Sequence, residues 1–154
     1  MTAKEKAMQA CSRREYCRHD IFDKMLQWGC TLTEARELLD FLVEQKFVDE
    51  RRYTEAFVKD KLRFNKWGRV KMKHMLHAQN VDREIVNETL SKIDDAEYRQ
   101  ILIGELQKKI KTIRQAKTKE NFVEIKGKLF RFASSRGFES ETINKALLQI
   151  LDKQ

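Results

Sequence analysis

The apolar residues of this chain recur in a pattern that occurs three times. When the sequence is aligned on Gly29, Asn80 and Gly137, six further columns hold apolar or small residues in every copy. The columns are Ile21, Met72 and Leu129; Met25, Leu76 and Ala133; Cys30, Val81 and Phe138; Ala35, Val86 and Ile143; Leu39, Leu90 and Leu147; Leu42, Ile93 and Ile150. Steps of three and four place apolar residues on one face of a helix. Each copy is therefore predicted to hold one amphipathic helix before the anchor and another after it.

The anchors themselves predict where helices end. Gly and Asn tolerate the left-handed conformation that closes a helix. The copies are offset by 51 and 57 residues, which leaves room for one more helix in each. We therefore predict an all-α protein of about nine helices, in three tandem three-helix modules over residues 1–49, 50–97 and 98–154. Because a single helix of about 15 residues is marginal in water, each module must pack its apolar stripes inward and against its neighbour.

Polar residues mark helix starts. Capping boxes of the form S/T-x-x-E begin at Ser12 and at Thr31. Asp82 is placed to cap the helix that contains IVNETL. These three residues predict helices that begin shortly after each of them.

The aromatic residues of the second module predict a core stripe. Tyr53, Phe57 and Phe64 stand at i, i+4 and i+11, which is the spacing of a buried helix face. Trp67 lies beside Gly68 at a predicted turn. Among these aromatic side chains, Trp67 alone is left open for contact with a ligand.

Composition and charge predict that this helical protein has a polyanionic partner. The 154 residues include no proline and five glycines, and 36% are charged, with a formal net charge of +8. Residues 1–50 carry −2, residues 51–98 carry +3 and residues 99–154 carry +7. The abundance of Lys, Glu, Leu, Arg and Gln favours helices with short connections. The excess positive charge favours nucleic acid or another polyanion as partner.

Candidate chemistry is sparse. The three cysteines show no CxxC spacing, and His74 and His77 stand at i, i+3 with no carboxylate at ligand spacing beside them. No phosphate-cradling glycine loop, GxSxG motif or nucleophile–base constellation occurs. We expect no enzyme activity, no metal and no cofactor. No apolar run reaches the roughly 20 residues of a membrane span, and the N-terminal stretch has no apolar signal region, so the expected compartment is the cytoplasm.

Basic residues recur in register on the predicted second helices of modules two and three, and only in part on that of module one. Arg18, Arg69 and Lys126 all stand eleven residues before an anchor, and nine before an anchor stand Lys71 and Lys128, where module one has Asp20. A solenoid of related modules would present such residues as a continuous band; the alternative is a plain Lys-rich surface that serves solubility. The candidate basic surface comprises Arg18, Lys59, Arg63, Lys66, Arg69, Lys71, Lys73, Lys126, Lys128 and Arg131.

Four segments, in order, resemble one bacterial family. They are SRREYCRHDIFDKMLQWGC (12–30), VDERRYTEAFV (48–58), RFNKWGRVKMKHMLHAQNV (63–81) and KLFRFASSRGFESETINKAL (128–147). Together they resemble the RecX regulatory proteins. The chain departs from that pattern at Tyr16, at Arg69 and at Asn80, and residues 98–120 match no signature of the family.

The resemblance implies a monomeric, elongated and curved array of three three-helix modules. It also implies a modulator, usually an inhibitor, of the RecA recombinase, lying in the groove of the RecA–DNA filament and suppressing ATP hydrolysis and strand exchange. The first alternative is a helical module that binds DNA or RNA directly. The acidic residues that begin the predicted third helices, such as Glu34 and Glu84, argue against its insertion into a DNA groove. The second alternative is a peptide-binding helical scaffold, whose concave face would be apolar.

Overall fold

The described part of the chain is entirely helical. The structure is a computed structural model that describes residues 1–116 and 120–151. Within those residues it contains nine helices and no strand. They are α1 (Ala3–Arg13), α2 (Arg18–Gln27), α3 (Leu32–Glu44), α4 (Glu50–Arg63), α5 (Arg69–Ala78), α6 (Arg83–Ser91), α7 (Asp95–Gln115), α8 (Phe122–Ser135) and α9 (Ser140–Leu151). The all-α prediction is confirmed.

The helices belong to two compact units. The first unit consists of Met1–Val58 and Met75–Ser91, and the second consists of Lys59–His74 and Lys92–Gln154. Helices α4 and α5 each contribute residues to both units. The division into modules over 1–49, 50–97 and 98–154 stays a prediction.

All three predicted anchors end a helix in the left-handed conformation. The backbone angle φ is +95° at Gly29, +58° at Asn80 and +92° at Gly137. After each anchor, the next residue donates its N–H to a carbonyl five residues earlier: Cys30 to Met25, Val81 to Leu76 and Phe138 to Ala133, at 3.1–3.2 Å. This pair of features is the Schellman motif. Each helix end therefore satisfies its last carbonyl groups with its own backbone.

The repeated apolar columns form the cores of the units. In the first unit Ile21, Met25, Ala35 and Leu42 are fully buried in one cluster, with α1 and α3 packed on α2. In the second unit α7, α8 and α9 pack pairwise against one another. The fully buried residues of that bundle are Leu102, Leu106, Leu129, Ala133 and Ile143. Apolar burial of this kind contributes about 25 cal/mol per Å².

The helix starts follow the predictions at Thr31 and Asp82 but not at Ser12. Thr31 and Glu34 form a complete capping box at α3, and Asp82 accepts the N–H of Glu84 at α6. The box predicted from Ser12 is wrong, because Ser12 lies in the last turn of α1. The next helix begins only after Cys17, whose sulfur accepts the N–H of Asp20.

Three side chains are less buried than predicted. Tyr53 is buried as predicted, but Phe57 is only partly buried and Phe64 is 80% exposed. Helix α4 ends at Arg63, so Phe64 lies past the helix and off its apolar stripe. Cys30 is only partly buried at the edge of the first core.

The second unit brings two backbones into direct contact. The N–H of Gly68 donates to the Arg136 carbonyl at 2.7 Å, and the N–H of Val70 donates to the Gly137 carbonyl at 2.9 Å. A Cβ atom at Gly68 would lie 2.4 Å from the Gly137 carbonyl group, and one at Gly137 would lie 2.3 Å from Lys71 Cβ. Only glycine permits this approach at either position.

We predict that Gly68→Ala lowers the free energy of unfolding by about 3 kcal/mol, because the new methyl group must displace backbone. Gly104→Ala is the matched control. Gly104 lies inside α7 with nothing within 4 Å of an added Cβ, so alanine should stabilise by roughly 0.5–1 kcal/mol. Urea denaturation measures both variants. Equal effects of the two substitutions would contradict the close approach.

Candidate polyanion-binding surface

Only the second of the two units carries a net positive charge. The first unit carries 11 Lys and Arg against 14 Asp and Glu, a net charge of −3. The second unit carries 21 against 10, a net charge of +11. A polyanion is therefore attracted to the second unit.

Nine of the ten residues of the candidate basic surface lie in the second unit. Arg18 is the exception: it is the first residue of α2, in the first unit. Its backbone N–H donates to Glu50 Oε1 at 2.7 Å. The nine are Lys59, Arg63, Lys66, Arg69, Lys71, Lys73, Lys126, Lys128 and Arg131.

Four of these nine form what we call the cation set: Lys59, Lys73, Lys126 and Arg131. Each is exposed, and none makes an ion pair within residues 1–116 and 120–151. Lys59 lies on α4, Lys73 on α5, and the other two on α8. The cation set can accept phosphate or carboxylate without first breaking a contact inside the protein.

The other members are partly engaged within the second unit. Arg63 Nε donates to Glu97 Oε1 at 2.9 Å, and Lys128 pairs with Glu120. Lys71 Nζ lies 4.6 Å from the centre of the Trp67 ring. Lys66 lies beyond the end of α4, in the left-handed conformation with φ +58°.

Arg69 is held in a network that we call the Arg69 network, with Asp95, Tyr98 and Glu139. Its guanidinium group donates to Asp95 and to Glu139 at 3.0 Å each and lies 4.0 Å from the centre of the Tyr98 ring. The Arg69 N–H, at the start of α5, donates to the Tyr98 hydroxyl at 2.9 Å, and that hydroxyl donates to Glu139. The charge of Arg69 thus serves the fold of the second unit.

Burial and the Glu139 hydrogen bond both keep the Tyr98 hydroxyl protonated. Tyr98 is 1% exposed. Burial raises the pKa of its hydroxyl above the ordinary tyrosine value, and the hydrogen bond to Glu139 raises it further. A neutral hydroxyl can accept from Arg69 and donate to Glu139 at the same time.

Sequence reasoning missed Arg136 and the groove beside it. The Arg136 guanidinium lies 4.8 Å from the centre of the Phe132 ring and reaches the Asn65 carbonyl at 3.4 Å. A groove of about 490 Å³ lies between α7 and α8, and its lining includes Lys109, Lys128, Arg131 and Phe132. Arg136 precedes the anchor Gly137, so its place at a helix end was visible in the sequence, but its partners were not.

Metal and membrane sites do not occur in the described part of the chain. Across the residues with described positions, no group of three or more His, Cys, Asp and Glu side chains could hold a metal ion. Within the same residues, no helix is long and apolar enough to cross a membrane.

Cys17 is buried, and burial raises the pKa of its thiol to about 12, so this cysteine stays protonated near neutral pH.

Comparison with known proteins places these features in a family. Residues 49–90, which hold α4, α5 and all of α6 except Ser91, match the family model of the second three-helix domain of RecX. A Regulatory protein RecX from Neisseria meningitidis is 30% identical over 148 residues, covering 96% of this chain and 90% of the relative. One from Clostridium botulinum is 28% identical over 149 residues, covering 97% of this chain and 68% of the relative.

The fold agrees with that relationship. The crystal structure of RecX from Lactobacillus salivarius superposes with a TM-score of 0.85 at 16% identity, covering 99% of this chain and 96% of that one. Fold and relatives define an all-helical regulatory protein. The chain belongs to the RecX family.

We predict that Tyr98→Phe lowers the free energy of unfolding at pH 7 by about 1–3 kcal/mol, because the Arg69 N–H and Glu139 each lose a partner. Tyr16→Phe is the control: Tyr16 is also buried, and its hydroxyl makes no hydrogen bond to any described residue. Tyr16→Phe should leave stability almost unchanged.

The same two variants test how the free energy of unfolding depends on pH. Because the folded-state pKa of Tyr98 is raised, its contribution to the free energy of unfolding is fully present below the unfolded tyrosine pKa of about 10. This contribution is lost as the pH rises from about 10 through the folded-state pKa. Urea denaturation between pH 7 and 11 should show a shallower alkaline loss in Tyr98→Phe than in Tyr16→Phe. Parallel curves would contradict a buried, protonated Tyr98.

Proposed function

We propose that this protein binds the RecA recombinase filament on DNA and inhibits its ATP hydrolysis and strand exchange. In this role it regulates recombination, DNA repair and the SOS response. The observation that carries the proposal is the net charge of +11 on the second unit of a RecX-family fold. Membership of the RecX family supports RecA as the partner.

A nucleoprotein filament suits a surface of this kind. Its groove offers acidic protein side chains and DNA phosphates side by side, and both attract Lys and Arg. Electrostatic attraction of this type raises association rates and selects partners more than it raises affinity. The cation set supplies the contacts, since each of its four side chains is exposed and unpaired in the described chain.

The proposed mechanism is occupancy, with no catalytic step. A protein bound along the groove resists the filament rearrangements that accompany ATP turnover and blocks the path of a second DNA strand. It needs no metal or cofactor, and it acts as a monomer. Arg69 takes no direct part, because its guanidinium is already paired with two carboxylates.

The decisive experiment adds the pure protein to RecA filaments on single-stranded DNA and follows ATP hydrolysis. Inhibition at micromolar protein is expected, together with co-sedimentation with RecA filaments in the presence of DNA. Unchanged ATP hydrolysis and no co-sedimentation would overturn the proposal.

The cation set gives a sharper prediction. Lys126→Glu with Arg131→Glu should raise the protein concentration needed for half inhibition of RecA about tenfold, because two attractive contacts become repulsive. Helicity by circular dichroism should be unchanged, since both side chains are exposed on α8.

The matched control is Arg36→Glu with Arg83→Glu. Both residues are exposed in the first unit, and neither makes an ion pair with a described residue. The net charge change is the same, so a general effect of charge would weaken both double variants equally. A control as weak as the test variant would assign the effect to net charge and contradict the role of the cation set.

A further inference from the structure

Phe64 is the most exposed large apolar side chain of the described chain, at 80%. Its ring makes no aromatic or cation–π contact with a described residue. Its backbone is nevertheless fixed: the Phe64 N–H donates to the Asp60 carbonyl at 2.9 Å, and the Trp67 N–H donates to the Lys61 carbonyl at 3.0 Å. The ring is therefore presented to solvent from a hydrogen-bonded helix end.

One cation contacts this helix end within the second unit, and two more flank the ring in sequence. The carbonyl of Asn65, next to Phe64, accepts from Arg136 Nη1 at 3.4 Å. Arg63 precedes the ring and Lys66 follows it. From Arg136 the positive side chains continue over Phe132, where Lys109 Nζ lies 5.3 Å from the ring centre, into the groove with Lys128 and Arg131. An apolar ring is thus exposed at the end of a basic track.

Trp67 provides the contrast. Its indole is half-buried, and the ammonium groups of Lys61 and Lys71 lie 5.1 and 4.6 Å from the ring centre. Trp67 is therefore an internal partner of lysines. Phe64 is therefore more exposed to solvent than Trp67.

We propose that Phe64 is a base-stacking site for single-stranded nucleic acid, with Arg136 and Lys66 positioned for the flanking phosphates. This assignment rests on the proposed function, because it names the DNA partner of the same basic surface. It places one unpaired base on the Phe64 ring, and the strand then follows the basic track toward the groove between α7 and α8.

The combination of ring and cations selects the ligand class. Proteins that bind single strands join a basic path to aromatic rings on which bases stack. A duplex offers its phosphates but keeps its base faces covered, so it would gain nothing from Phe64. The carboxylates of an acidic protein surface would pair with the cations but offer no flat ring to stack on Phe64.

The test is binding of a fluorescein-labelled oligothymidylate to the full chain without RecA, followed by anisotropy at several salt concentrations. Phe64→Ala should weaken binding about tenfold, within the range of stacking losses on alanine substitution. It should leave the slope of log K against log salt unchanged, because no phosphate contact is lost. Arg136→Gln should make that negative slope shallower by about 0.7, the value for one phosphate of a single strand.

Three controls separate stacking from other effects. Phe64→Trp should keep the affinity, and Phe64→Leu should lose about as much as Phe64→Ala, because leucine is apolar without a ring face. Leu148→Ala removes an apolar side chain of the second unit that is 57% exposed on α9, and it should bind like the parent. A blunt duplex of equal length should not distinguish Phe64→Ala from the parent.

The outcomes separate this inference from the proposed function. Parental affinity in Phe64→Ala, or no binding of the oligonucleotide by the parent, would overturn the stacking site even if RecA inhibition is intact. The stacking site is also overturned if Phe64→Ala weakens RecA inhibition alone, since the ring would then contact protein. Failure of the parent to inhibit RecA would overturn the proposed function and leave the anisotropy result standing.

Discussion

The second unit depends on the approach of two backbones at Gly68 and Gly137. Two hydrogen bonds join the turn before α5 to the turn after α8, and an added methyl group at either glycine would overlap neighbouring atoms. This contact fixes where α5 begins. It thereby places the Arg69 N–H against the Tyr98 hydroxyl and the Arg69 guanidinium against Asp95 and Glu139. The contact between these two glycines therefore helps to hold Arg69 in its ion pairs within the second unit.

The separation of charge between the units gives the surface its character. Ion pairs in the second unit neutralise Arg63, Arg69 and Lys128, whereas the cation set has no such partner among the described residues. Exposed pairs contribute little to stability, about 0–1 kcal/mol each. The unpaired lysines and arginines are therefore best understood through what they attract. An excess of like charge repels itself, and a polyanion would relieve that repulsion.

The helices and their ends could be predicted from sequence because their causes are local. Gly29, Asn80 and Gly137 close helices by conformations and hydrogen bonds that span six residues. Phe64 was misplaced because its spacing from Phe57 assumed a helix that in fact ends at Arg63. The Arg69 network was hidden, since Asp95 and Glu139 lie 26 and 70 residues away along the chain. The difference in net charge between the two units was also hidden in the sequence, because each unit is formed from two separate stretches of the chain.

The interleaving of the units has a consequence for the order of folding during synthesis. All residues of the first unit have been made once Ser91 has left the ribosome, whereas Lys59–His74 must wait for partners in Lys92–Gln154. Synthesis at about 5–20 residues per second makes that wait several seconds long. Throughout it, Gly68 lacks the partner that it meets only after Gly137 emerges. The basic segment around Phe64 is therefore the part of the nascent chain that is most open to chaperones, to proteases and to premature contact with nucleic acid.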